Sequence, residues 1–473
     1  MAAGPSDQAR GPGLAEAPGW AASYWLASAP PDPGAPLAGD RAADVAIVGA
    51  GFTGLWTAIE LKRRDPAMAV TVMEKDVAGF GASGRNGGFV EPSLTHGLVN
   101  GLRHFPDEMA ELERLGRENL AGMARDFERH GIVCDFEPTG MLDVAVRPHQ
   151  VAELEEYAAL AARNGLQAEL LSAAEARRRL HSPLFLGALH RPRDGGVLHP
   201  GKLARDLRRV AAGLGVEIWE RTPVTALRRS GAGVELAAPG GRVRASSAVL
   251  ATNGYSGRLL RRTLRHFAPV YDHVLVSDPL TREQMEAIGW SGREGVSDAG
   301  NRFHYFRLTA DDRILWGGYD AVYHFNNGVG DRFDLRAASH DKLLRHFFDA
   351  FPQLAGLSFP HRWGGCIATT TRFTPVFGAA LGGRLLYALG YTGLGVAATR
   401  FAARVLADRL LAPGSALLEL DWVRSAPFPF PPEPLRYLGI AMVSRALERS
   451  DLRDGRRGVL LGALDRLGIG FDS

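Results

Sequence analysis

The chain has 473 residues, 46% of them hydrophobic and 23% charged, with a formal net charge of +3 at pH 7. That length exceeds one comfortable hydrophobic core and predicts two or more substructures in an ordinary globular protein. Its basic residues are scattered rather than gathered, so neither a nucleic-acid face nor a membrane-surface patch is implied.

Residues 1–40 are rich in Ala, Pro and Gly and read as an irregular leader, with Trp20, Tyr24 and Trp25 available to anchor it on the folded body. Asp7 and Arg10 stand where a signal peptide would need an apolar core. No apolar run reaches the roughly 18 residues of a membrane span. Cys134 and Cys366 form no CxxC pair, so no metal site is expected, and a reducing, cytoplasmic compartment is the default.

The densest signal begins at Asp44. An apolar strand from Val45 to Val48 runs into Gly49, Gly51 and Gly54, followed by a helical pattern over 55–62 and a second apolar strand ending at Glu74. Gly49 permits a tight turn, Gly51 lets a pyrophosphate approach the backbone, and Gly54 lets the helix pack close to the sheet. Glu74 lies 20 residues past the last glycine, where an acid accepts hydrogen bonds from ribose hydroxyls. The unit therefore predicts dinucleotide binding.

Residues 103–130 carry a long charged helical pattern, with Leu112, Leu115, Met123 and Phe127 on its buried face. A strand is expected at 141–146, and Ser172 with Glu175 forms a capping box that opens a helix. A helix starting at His199, a strand at 215–220 and an apolar strand ending near Gly254 return to a parallel α/β pattern. Residues 269–319 alternate as antiparallel strands do. The late turn from Gly390 to Gly395 precedes a helix over 396–410, and a Pro-rich strap follows residue 413.

The glycine unit, the segment Gly79–Gly88, Gly195–Pro200, Val249–Gly254, Arg313–Gly318 and Gly390–Gly395 stand in the order found in the D-amino acid oxidase-like (DAO) family of FAD-dependent oxidoreductases, which the chain resembles over roughly residues 40–412. Phe52–Lys62, Ala82–Gly88 and Phe430–Gly439 look most like the aminophosphonate oxidoreductase-like and γ-glutamylputrescine oxidase-like members. The resemblance implies an α/β plus α+β fold, in which a Rossmann-type (glutathione-reductase-like) FAD-binding domain is interleaved with an antiparallel β-sheet substrate domain. The expected boundaries are 41–100, 195–260 and 360–412 for the former, 101–194 and 261–359 for the latter, and 413–473 for the C-terminal extension.

The implied chemistry is hydride removal from the carbon next to an amine nitrogen, leaving an imine that water hydrolyses. The resemblance assigns FAD to Gly49, Gly51, Phe52, Thr53, Gly54, Glu74 and Lys75 at the nucleotide end. Ser83, Arg85, Asn86, Gly87 and Gly88 fall along the ribityl chain and ring, joined by Val224, Thr252 and Gly254. Gly390, Thr392, Gly393, Leu394 and Gly395 open a helix whose positive dipole end would face the N1/C2=O edge of the flavin.

Tyr271, His273, Tyr305 and Trp316 lie in the antiparallel segment expected to roof the substrate, where aromatics would attract a cationic amine. His199 and Lys202 are open to a site role or to a helix-start and solvated role. Glycine oxidase-like members place a carboxylate-binding arginine eight residues before a proline; here that position, counted from Pro375, is Ile367. Arg372 is the nearby substitute, and an amine, or an amino compound with a different acidic group, is favoured as substrate. Cys366–Thr369 resembles the thioether-forming context of sarcosine oxidases, but Trp363–Gly365 matches noncovalent members, so noncovalent FAD is preferred. The alternatives are an NAD-dependent or flavin monooxygenase-type enzyme, or a flavin-containing subunit acting through a partner. A second GxGxxG with a following acid, which a monooxygenase's nicotinamide site would need, is not seen.

Overall fold

The computed structural model describes residues 23–466 and 469. Trp20, most of the leader and the last four residues lie outside the described residues.

The first sheet is built on the strand Arg41–Val48, which pairs in parallel with Val70–Met73 on one side and Gly241–Leu250 on the other. Glu217–Trp219 and Leu385–Leu389 extend it in parallel, and Val376–Ala380 closes one edge antiparallel. Val45 to Val48 and Val70 to Met73 are apolar, apart from Thr71, and buried on both faces, as strands with helices packed over them must be. Helix Phe52–Arg64 packs between helix Gly395–Leu411 and helix Pro200–Gly213, and Ile47, Leu55, Ile59, Val72, Leu207 and Phe401 meet in their shared core.

The second sheet is mainly antiparallel. Ala268–Val276 pairs with Ile314–Gly318 and with His361–Thr369, and His304–Leu308 continues outward to Gly295–Asp298. Gly295–Asp298 then pairs in parallel with Met141–Ala145, beyond which lie Gly187–Arg191 and Glu169–Ser172. Its outer face is filled by helix Ala337–Ala350, with Phe306, Trp316, Phe347 and Phe351 in one aromatic cluster. Trp316, expected in the substrate roof, is a core residue here.

Two expected boundaries are corrected by packing. Strand His361–Thr369 hydrogen-bonds along the whole of Ala268–Val276, so the second sheet runs to Thr369 rather than stopping at 359. The helical stretch at 103–130 is interrupted at Phe105-Pro106, giving helices Leu98–His104 and Met109–His130. The longer one belongs with the first sheet's layer: its Asn119 donates to the Ala397 carbonyl at 2.8 Å and its Asp126 pairs with Arg400 at 2.7 Å.

The capping box forms as expected: the Glu175 amide donates to Ser172 Oγ, and the Ser172 amide donates to the Glu175 carboxylate at 2.8 Å. Within the leader, Tyr24–Ser28 is a short helix. Trp25 is fully buried and donates its indole N–H to the Asn86 carbonyl at 2.8 Å, while the Tyr24 hydroxyl donates to Asp311 at 2.7 Å. At the other end, the strap joins the body where the Phe430 amide donates to the Arg265 carbonyl, and helix Leu435–Asp451 reaches Asn301 through Asp451. Among the described residues no helix is long and apolar enough to cross a membrane.

Candidate functional site

A cavity of about 1930 Å³ runs between the two sheets, from Glu74 and Lys75 at one end past Gly393 to Tyr305 and the C-terminal strap. A pocket for a single small-molecule ligand measures up to ~1000 Å³. The space therefore suits a long cofactor together with a substrate.

The nucleotide end follows from the glycine turn. Gly49 takes φ +104°, and a Cβ on Gly54 would stand 2.0 Å from the Gly49 carbonyl oxygen, so helix and strand meet only through glycine. The Glu74 carboxylate accepts from the Ala50 amide at 2.8 Å and from the Asp76 amide at 3.0 Å. Burial raises its pKa to about 6, against the lowering pull of those amides. Ser83 Oγ accepts from the Phe52 amide at 2.9 Å and so caps the helix from a neighbouring segment.

Arg85 and Asn86 mainly build the loop they sit in. Arg85 is buried and pairs with Asp334 at 2.7 Å, and Asn86 accepts from the Gly88 amide while donating to the Ala82 and Ser83 carbonyls. Both still line the cavity, as do Gly87, Val224, Thr252 and Gly254.

The ring end is pinned from several directions. Thr53 donates to the Tyr391 hydroxyl at 2.9 Å, the Gly390 amide to Asn253 at 2.9 Å, and the Thr392 amide to the Ala368 carbonyl at 3.1 Å. His96 Nε2 lies 3.0 Å from the Thr392 carbonyl oxygen. Helix Gly395–Leu411 starts without a side-chain cap, and Gly393 at φ +93° is open to the cavity, so the orphan amides of that helix face it.

Gly54, Gly88 and Gly390, expected as cofactor contacts, lie off the cavity wall, where each lets two parts of the chain come close. A Cβ on Gly88 would come within 2.3 Å of the Leu198 carbonyl oxygen, and one on Gly390 within 2.4 Å of Thr370 Cγ2. Beyond these three positions, the cradle, the open helix start and the continuous cavity fit a noncovalently held FAD.

The roof separates the substrate candidates. Along Ala268–Val276 alternate residues Ala268, Val270, Asp272 and Val274 face the cavity, which turns Tyr271 and His273 to the opposite side. Tyr271 is fully buried, and its hydroxyl accepts from the Gly330 amide at 2.8 Å. His273 packs on His340 with its pKa lowered to about 4 by burial. Both are therefore corrected to structural roles. Arg372 is corrected too: its guanidinium donates to Thr374 at 2.7 Å and to Ser425 at 2.6 Å, away from the cavity. Tyr305 does reach the site, and its hydroxyl donates to Asp272, an acid that sequence reasoning passed over. Reading the strand with a period of two from Ala268 would have found it.

His199 caps the helix start, accepting from the Lys202 amide at 3.1 Å, and Lys202 pairs with Asp135 at 2.7 Å, so neither joins the cavity. Cys366 does line it, buried, with its thiol pKa pushed up to about 12 by burial.

The family model described as FAD dependent oxidoreductase (DAO) matches residues 44–409. Gamma-glutamylputrescine oxidoreductase of Escherichia coli (strain K12) is 33% identical over 375 residues, 78% of this chain and 83% of that protein. The probable oxidoreductase OrdL of Rhizobium meliloti (strain 1021) is 30% identical over 91% of this chain and 97% of its own length. Among solved structures, glycine oxidase from Geobacillus kaustophilus superposes with a TM-score of 0.68 at 22% identity, covering 81% of this chain and 99% of that one, which bears on the fold alone. With a model match spanning most of its length and a cradle shaped for the cofactor, the chain belongs to the DAO family of FAD-dependent oxidoreductases.

Proposed function

We propose that the protein oxidises the C–N bond of an amine whose reacting carbon carries no carboxylate, using FAD held noncovalently. Bound FAD would accept the hydride from the carbon beside the nitrogen. The chain's own part is to bind and orient the cofactor, exclude water and hold the amine. Residues 49–53 and Glu74 would hold the nucleotide end, and the Gly393–Gly395 amides would favour negative charge at the ring's edge.

The observation that carries the substrate reading is that, among the described residues, neither the clamp position nor the nearby Arg372 offers a guanidinium to an α-carboxylate. Ile367 occupies the clamp position and Arg372 is tied to Thr374 and Ser425. Arg191 and Arg302 on the cavity wall are spent on Asp143 at 2.8 Å and Asp320 at 2.7 Å. The E. coli relative, named for gamma-glutamylputrescine, is in keeping with an amine substrate. The high pKa of Cys366 argues for an inert thiol, because the thiolate is the reactive form. The free, buried Cys134 and Cys366 suit a reducing cytoplasm. A sister subunit is a second reading, supported by exposed Leu435, Leu438 and Met442 on the strap helix.

The test is an absorbance spectrum before and after acid precipitation, then anaerobic mixing with alkylamines, diamines, α-amino acids and aminophosphonates. Flavin colour released to the supernatant and bleached faster by amines than by α-amino acids is expected. Bleaching by α-amino acids alone would overturn the substrate reading, and colour held in the pellet would overturn noncovalent attachment.

A further inference from the structure

Resting on the amine reading above, we propose that Asp272 is the counter-ion that binds the substrate's ammonium group and takes a proton from it, with Tyr305 as the positioning residue that aims the carboxylate.

The roof is constructed around this pair. Tyr305 is wedged between glycines: a Cβ on Gly87 would stand 2.7 Å from its Cε2, and one on Gly317 2.7 Å from its Cζ. Phe89 meets the ring edge-on at 5.6 Å. The hydroxyl thus has little freedom, and it donates to Asp272 Oδ2 while the Gly318 amide donates to Oδ1 at 3.1 Å. A carboxylate offers about four acceptor positions, so Asp272 keeps capacity on the side that lines the cavity. Across the sheet the residue in register with it is Gly365, which adds no side chain over it.

The charge around the pair favours a cation. Asp320, just past the adjoining strand, is itself neutralised by Lys342 and Arg302, both at 2.7 Å, and accepts a hydrogen bond from Ser339 at 2.8 Å. Arg85 turns its guanidinium to Asp334. Asp272 has no basic side chain as its own hydrogen-bonding partner among the described residues. Burial raises its pKa to about 6, so it is charged at neutral pH and yet a better proton acceptor than an exposed aspartate.

An alkylamine enters protonated, since its pKa lies near that of a lysine, about 10.4. Hydride departure needs the nitrogen lone pair. The N–H proton passes to a carboxylate oxygen of Asp272, giving the neutral amine and a carboxylic acid, with no net change in charge at the site. The two electrons then leave with the hydride, as the family's reaction supplies.

The experiment uses the FAD-loaded full chain and tert-butylamine, a cationic amine with no hydrogen on the carbon beside nitrogen, which binds without being oxidised. Its titration is followed by the flavin difference spectrum. D272N is expected to weaken binding about tenfold or more, and D272E to stay within about threefold of wild type. In wild type, affinity falls as pH drops through about 6, a range in which Glu74 and Asp334 also titrate. Y305F removes a donor to Asp272 alone, so it moves that midpoint upward only if Asp272 is the group responsible. Unchanged binding in D272N, or an unmoved midpoint in Y305F, overturns the inference. If D272N emerges without flavin, the Y305F midpoint decides. Wild-type flavin that no amine bleaches overturns the amine reading itself, whereas bleaching with normal D272N binding overturns only the role of Asp272.

Discussion

The nucleotide end and the roof of the cavity solve opposite problems. At the nucleotide end, residues adjacent in sequence do the shaping, because Gly49 to Gly54 must let backbone approach backbone. At the roof, partners come from segments far apart in sequence: Tyr305 and Asp272 meet from two different strands, and Arg85 and Asp334 from two loops. A cradle for a large cofactor can thus be encoded locally, while the wall of the cavity's roof depends on which face a strand turns inward.

The largest expected effect tests the long-range side. Asp334→Ala removes the carboxylate that lies 2.7 Å from the buried Arg85 guanidinium, and a broken buried pair costs about 3–5 kcal/mol, read by denaturant unfolding of the holoprotein. If the loss is under 1 kcal/mol, the pair is not what holds the 79–88 loop to the roof.

Next, Gly54→Ala tests the local side. Its Cβ meets a backbone oxygen that cannot yield, so a loss of about 3 kcal/mol and poor flavin content on purification are expected. Normal flavin occupancy would show that the helix can stand off from the turn.

A smaller effect separates the two faces of one strand. Tyr271→Phe gives up the hydrogen bonds to Gly330 and should cost about 1 kcal/mol while leaving KM for amines unchanged. A raised KM with unchanged stability would return Tyr271 to the site.

The smallest concerns the clasp that ties the leader to the second sheet. Burial pushes the Asp311 pKa up, but hydrogen bonds from Thr309, Arg313 and Tyr24 outweigh it and bring it down to about 2. Its unfolded value is about 3.9. A group so depressed stabilises the fold above the unfolded value and loses that contribution as pH falls through the folded one. Tyr24→Phe should therefore lower Tm slightly at pH 7, and the gap to wild type should shrink as pH falls toward 2. A gap independent of pH would remove Asp311 from the account.

The cofactor region was legible because each of its requirements is a backbone requirement. Positive φ at Gly49 and Gly393 and the close approach at Gly54 can be met by few residues other than glycine, so they leave a mark in the sequence. Gly88 and Gly390 do not show what they pack against in the sequence, because a glycine reports that space is short without saying what fills it. Here the filler is Leu198 and Thr370.

The substrate candidates were chosen by residue type, and type does not carry direction. Tyr271, His273 and Arg372 are buried polar groups whose partners are other parts of the chain, at Gly330, His340 and Ser425. Asp272 looked unremarkable between a tyrosine and a histidine until the register of Ala268–Val276 decided which alternate side chains face the cavity. Dinucleotide binding could thus be read from the chain alone, through short-range steric demands at glycine, and FAD from the resemblance that the ordered motifs carry. The tertiary structure alone decided the substrate side, because strand alternation and pairing across hundreds of residues determine which charged groups are left facing the ligand.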